Sequence, residues 1–253
     1  MIAKMKKVTL ATLHSEVNET LEAVRDIGIL HVTHVTEPRS SDMERIEGEV
    51  NLLEGAVNVL SGSGQGEERG EPGPLQEPVD LARHLVSLAR QKEECLEERE
   101  AIEREIERIR PLGEFDPSDL EVMRENALVV KFYRVLKDEI SSSFFQGVEA
   151  LHVVVSSKGR ESIVMVIGNK DFDLPYEEVR VSRGLRDLEL DLLSTAERIR
   201  EIQSEIDSAG AHISVLEEAL ESKREELEFA EVAAGAGQYG PLSYLQGFCP
   251  VDL

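Results

Sequence analysis

Apolar residues return every seven positions along the last third of the chain. Leu185, Leu192, Ile199, Ile206, Ile213, Leu220 and Leu227 form one row without a slip. Leu188, Ile202 and Leu216 form a second row between them, with Thr195, Ala209 and Lys223 at its weaker places. An a/d repeat held this long buries a narrow stripe of one helix against another helix. The spacing predicts a single return helix over 185–230, about 63 Å from Leu185 to Leu227 at 1.5 Å per residue.

Two upstream stretches carry matching periodicity. Pro38, Arg39, Ser40 and Ser41 break the preceding pattern, and Asp42 is placed to cap a helix with Met43, Ile46, Val50, Leu53, Val57 and Leu60 on one face. Residues 61–78 are rich in Gly and Pro and read as a flexible insertion. The helical pattern resumes with Leu81, Leu85, Leu88, Cys95, Ile102, Ile106 and Ile109, with Lys92 and Arg99 at the remaining core places. Pro111 and Gly113 then stop it. Together these outbound helices span roughly 78 Å, which predicts an antiparallel path along the return helix.

Strand patterns flank the helices. Residues 7–35 read as strand, helix, strand, with Ser15 as the helix N-cap and Gly28 as its left-handed C-terminal residue. Leu128–Val135, Leu151–Val155 and Ile163–Ile167 are β-branched runs, with Ser141–Gln146 a short helix or turn between them. The predicted class is α+β: an elongated dumbbell of two small α/β lobes joined by a long antiparallel coiled-coil rod. Its parts are a proximal lobe (1–41 with 231–253), outbound helices (42–126), a distal lobe (127–184) and the return helix (185–230).

Charge narrows the partners. Asp and Glu number 51 against 28 Lys and Arg, a net charge of -23. Such a field repels phosphate backbones and anionic lipid, so nucleic acid is excluded as a partner and a basic protein surface is favoured. Two cysteines far apart in sequence fit a reducing cytosol. The short apolar run Val8–Leu13 breaks at His14 and Glu16, too soon for a signal peptide. No run reaches the length of a membrane span, so the chain reads as soluble and cytoplasmic.

The residues offer no catalytic constellation. His31 and His34 fall on opposite faces of a strand and read as surface or structural histidines. Glu93, Glu94, Glu97 and Glu98 read as the solvated face of a helix. Cys95 sits on the seam as a small core residue. Lys92 and Arg99 read as snorkelling or register-marking cations. Ser141, Ser142 and Ser143 lack a glycine-flanked nucleophile turn, and the GSGQG at 62–66 lacks the Lys-Ser/Thr ending of a phosphate loop. No catalytic, cofactor or metal residue is expected.

The opening KMKKVTLATLHSEVNETLEAVRDIGILHV resembles the start of subunit I of V-type (A-type) ATPases, relatives of the eukaryotic subunit a. The closing YLQGFCP is similar to that family's Leu-x-Gly-(Trp/Phe)-x-Pro element, here Leu245, Gly247, Phe248 and Pro250. The order of lobe, outbound helices, lobe and return helix also resembles the family's cytoplasmic half. What the resemblance implies is a non-catalytic stator of a rotary proton-translocating ATPase, placed at the cytoplasmic face of the membrane. Its implied partners are the peripheral-stalk coiled-coil heterodimers, the rotor-cap subunit of the central stalk, and the membrane half of its own subunit, which this chain lacks. The resemblance also implies an incomplete proximal lobe with an open sheet edge. Two rival readings remain: a generic coiled-coil tether in another complex, and an ACT-like small-molecule sensor suggested by DIGILHV after an amphipathic helix.

Overall fold

Alternating and heptad-spaced stretches separate into strands and helices in the computed structural model, which describes residues 4–62, 77–140 and 150–250. In chain order they are β1 (Met5–Leu13), α1 (Val17–Ile27), β2 (His31–Thr33), α2 (Ser41–Gly62), α3 (Pro78–Ile109) and α4 (Pro117–Glu125). Then come β3 (Val129–Leu136), β4 (Ala150–Lys158), β5 (Glu161–Gly168), β6 (Glu177–Glu178), α5 (Leu185–Ser208), α6 (Ile213–Ala234), β7 (Gly237–Tyr239) and β8 (Leu242–Pro250). The class is mixed α+β with antiparallel sheets. The chain divides into two units, one of residues 1–90 with 204–253 and one of residues 91–203.

In the first unit both chain ends share one four-stranded sheet of order β1-β8-β2, with β7 also on β8. β8 pairs with β1 over its full length, from Met5 opposite Pro250 to Leu13 opposite Leu242. Val17 and Leu21 of α1 pack with Leu245 and Ala236, and Phe229 and Val232 of α6 close that small core. Gly28 ends α1 at φ 69°, where its N–H donates to the Val24 carbonyl. This is the left-handed cap its sequence position predicted. Ser15 does not cap α1. His14–Glu16 form a 3-10 turn first, and the helix starts only at Val17.

α2 and α6 form a helix pair in this unit. Ile46, Val50, Leu53, Ala56 and Leu60 are buried on α2, and Leu216 and Leu220 on α6. The cap of α2 is two residues earlier than expected: the Met43 N–H donates to Ser40 Oγ at 3.1 Å, which leaves Asp42 outside that role. The return helix is not continuous. Ala209–His212 form a 3-10 turn between α5 and α6. Ala209 and Gly210 give that stretch no large apolar side chain to anchor it.

The second unit holds a four-stranded sheet of order β4-β5-β3-β6. One face, with Phe132 and Ile163, joins Ile102, Ile106, Ile109, Leu185 and Leu188 in a single core. The other face, with Tyr133, Val135, Val164 and Val166, is closed by Leu174. α4 was not foreseen as a separate helix. Pro117 takes its first position and the Ser118 N–H donates to Asp116 Oδ1 at 2.9 Å, a preferred start signal. The short helix or turn expected at 141–146 lies outside the described residues, as does most of the insertion expected at 61–78.

Candidate functional site

The helical seam and the C-terminal motif are the two places where the sequence concentrates its signal. Of the return rows, Leu185, Leu188, Ile206, Leu216 and Leu220 are buried, while Leu192, Ile199, Ile202, Ile213 and Leu227 are half-buried. Of the outbound row, Leu81, Leu85, Leu88, Cys95, Ile102, Ile106 and Ile109 are all buried. Five of these residues pack against a sheet face as well as a facing helix, because Ile102, Ile106, Ile109, Leu185 and Leu188 share the core of Phe132 and Ile163.

The polar residues on the seam each have a place. Lys92 donates from Nζ to Gln203 Oε1 at 2.5 Å. Arg99 is half-buried, its Nε 3.6 Å from Glu103. Lys223 reaches across to Glu49 at 2.8 Å and along its own helix to Glu226 at 2.7 Å. Those bonds hold the Glu49 carboxyl below the usual carboxylate range and the Lys223 ammonium above the usual lysine range. Arg224 lies 3.9 Å from Glu221 on its own helix, yet its shorter contact, 2.7 Å, is with Glu54 on α2. Sequence reasoning missed this cross-helix ladder. Its only sequence signal is a lysine at a core place opposite a glutamate-rich face.

The motif residues occupy the central strand of the first sheet. Leu245 is buried in the small core of α1 and α6. Gly247 faces the close approach of β2: a Cβ there would stand 2.5 Å from the His31 carbonyl oxygen. No other residue fits that place without displacing β2. Phe248 is exposed by 39% beside His31, and Pro250 ends β8 opposite Met5. Among the described residues β1 is bonded along one side only.

Each unit carries concavities among the described residues. A cleft of about 760 Å³ is lined by α4, the start of β3 and residues 178–187. Three of its cations are engaged locally: Lys131 pairs with Asp171 at 2.9 Å and bonds the Phe172 carbonyl, Arg180 pairs with Glu178, and Arg183 pairs with Asp191. The Asp171 bond raises the Lys131 ammonium, and Lys131 in turn lowers the Asp171 carboxyl. A second groove, about 530 Å³, runs between α1 and α6 over Leu21, Val24, Phe229 and Val232, with Arg25 stacked 5.7 Å above the Phe229 ring. Neither holds a nucleophile beside a base.

The histidines, acidic run and thiol singled out in the sequence do not converge. His31 and His34 are both exposed, and the His34 ring lies against Gly235. Glu93, Glu94, Glu97 and Glu98 are exposed, with Glu98 3.7 Å from Arg198. Cys95 is buried and Cys249 half-buried. Among the described residues no three His, Cys, Asp or Glu side chains gather as a metal would require. No described helix is long and apolar enough to cross a membrane.

V-type ATP synthase subunit I of Borreliella burgdorferi is 21% identical over 254 residues, a span that takes in 100% of this chain. The chain is similar to V-type ATP synthase subunit I. A second protein of that name, V-type ATP synthase subunit I 1 of Treponema pallidum, is 25% identical over 154 residues, 56% of this chain. The chain spans 41% of the length of the first relative, and the match to the second takes in 25% of it. A crystal structure of the cytoplasmic N-terminal domain of subunit I, homolog of subunit a, of V-ATPase covers 96% of this chain and 93% of its own at 16% identity and a TM-score of 0.40. No family model matches the chain.

Proposed function

We propose that this chain is a non-catalytic stator element of a rotary proton-translocating V/A-type ATPase. In this reading it lies at the cytoplasmic face of the membrane, links the membrane half of its subunit to the peripheral stalks, and resists torque. The observation that carries the reading is the match to subunit I that runs through the whole chain. A chain built from paired helices and two small sheets, with Lys131 and Arg183 of one cleft already held by carboxylates, supports binding and bracing over turnover. The acidic surface favours basic partner faces. The proposed partners are the peripheral-stalk coiled-coil heterodimers and the rotor-cap subunit of the central stalk. The elongated rod between lobes 1–41 with 231–253 and 127–184 belongs to the same proposal, and small-angle scattering measures it.

The test is a titration with the purified peripheral-stalk heterodimer of the same organism, repeated with residues 127–184 deleted. Saturable binding that weakens on deletion supports the stator reading and puts one contact on that segment. Absence of binding at high micromolar concentration of both proteins favours the generic tether. Thermal-shift screening with amino acids and nucleotides checks the sensor reading, which needs a ligand-induced rise in Tm.

A further inference from the structure

The long helical return is interrupted at one place, and the interruption has no packing cause. The Ile213 N–H donates to the Gly210 carbonyl, three residues back, and His212 sits at φ -96°, ψ 6°, away from α-helical values. One residue before the turn, Ser208 Oγ donates to the Glu205 carbonyl at 2.8 Å, a back-bond of the kind that bends helices. No proline is present to force the break. Nor does crowding require Gly210: a Cβ there would meet nothing within 4 Å, and its φ is not left-handed. The buried row lapses as well, because residues 209–213 are all half-buried between buried Ile206 and buried Leu216.

The outbound helices change over at the same level. Glu49 pairs with Lys223, and further along α2 Glu54, Val57 and Asn58 share one groove with Glu217, Leu220 and Glu221, which sets α2 antiparallel along α6 and carries its last residue, Gly62, to the first turn of α6. His84 of α3 meets Glu205 of α5 at 2.7 Å, which carries the first residue of α3, Pro78, to the level of the break. One helix ends here, one begins, and the third leaves α geometry. Among the described residues no α-helical hydrogen-bond ladder crosses this level. A 3-10 segment inside a longer helical path is a common form of hinge.

We propose that Ala209–His212 is a joint about which the α2–α6 pair and the opening turns of α3, with the end of α5 that they meet, change their mutual angle. Gly210 keeps the joint soft, since glycine in a helix interior is less favourable than alanine and no steric need explains it here. The joint is a property of the chain itself and stands whether or not the stalk reading holds.

The full chain tests it, in a Cys249→Ser background with nitroxides at exposed Asn51 on α2 and Arg83 on α3. The parent is expected to give a broad distance distribution that G210A narrows by about half, while amide exchange over 208–214 slows about threefold. G48A is the control, because Gly48 is an equally open helical glycine in the unbroken part of α2. That variant is expected to leave the width unchanged. A parent distribution as narrow as a rigid helix pair gives, a width that G210A does not reduce, or an equal reduction by G48A would each overturn the joint.

Discussion

In the sheet β4-β5-β3-β6 neighbouring strands come from neighbouring stretches of chain, whereas β1-β8-β2 brings residues 5–13 against residues 242–250. Strands β3 and β5 of the inner sheet are buried on both faces, by Ile102, Ile106, Leu185 and Leu188 on one and by Leu174 on the other, while Leu151, Val153 and Val154 of β4 are exposed. The terminal sheet rests on a core of four buried residues, Val17, Leu21, Ala236 and Leu245. Local pairing closes short loops, while the terminal sheet must hold two distant chain ends together against a larger loop entropy. The second unit therefore carries its own sheet stability, and the first depends on a few contacts at β8.

Substitutions sharpen that contrast in order of expected effect. Phe132→Ala opens a cavity beside Ile163 and the ends of α3 and α5 and is expected to cost about 3–5 kcal/mol. Exchange protection should then fall first over 129–136 and 161–168. Leu245→Ala removes the centre of the terminal core and is expected to cost about 2–5 kcal/mol. Because that core is small, the loss of protection should stay within 5–33 and 229–250. If Leu245→Ala deprotects the inner sheet equally, the two sheets do not unfold separately and the comparison fails.

Gly247→Ala is a subtler probe of the same strand. Its Cβ would press on the His31 carbonyl, so β2 should detach while β1 and β8 stay paired, at a cost of about 1–3 kcal/mol in urea unfolding. Intact protection at Val32 in the variant would show that β2 can shift without loss.

The smallest expected effect is electrostatic. Lys223→Met removes the cross-helix partner of Glu49, leaving Arg45 on its own helix, and should lower stability at pH 7 by about 0.5–1 kcal/mol, the range of a partly exposed pair. The sign of the pH dependence follows from Glu49, whose folded-state pKa is depressed by Lys223. The unfolded chain takes up that proton at about pH 4.3, and the folded chain only at lower pH. The contribution is therefore full above that range and is lost as pH falls through the folded value. Chemical unfolding between pH 6 and 3 should show a steeper decline in the parent than in Lys223→Met. Parallel declines would remove the pair as a contributor.

Much of this was legible in the residues because it is local. The β-branched run around Phe132 announced a strand within one residue of β3, and the spacing of Ile46, Val50, Leu53 and Leu60 announced the buried face of α2. Gly28 announced its own left-handed cap. The helix starts were less legible: Ser15 and Asp42 have the right chemistry, but Ser40 and a 3-10 turn took those places. Candidate chemistry read the same way. The exposure of His31 follows from strand alternation around Val32, whereas His34 is exposed because β2 has already ended at Thr33, and Lys223 at a core place gave no hint of which carboxylate it would meet.

Heptad spacing, strand alternation and the charge of -23 were determined by the sequence alone, because each depends on residues a few positions apart or on a simple sum. Tertiary structure decided what those patterns face. It set Ile102, Ile106 and Leu188 against a sheet as well as a helix, fitted Gly247 beneath the His31 carbonyl, and broke the return helix at Ala209–His212 although the seven-residue spacing runs through it. The physical reason is that a periodic pattern fixes which side of an element is apolar, whereas the partner on that side is chosen by packing among groups far apart in the chain.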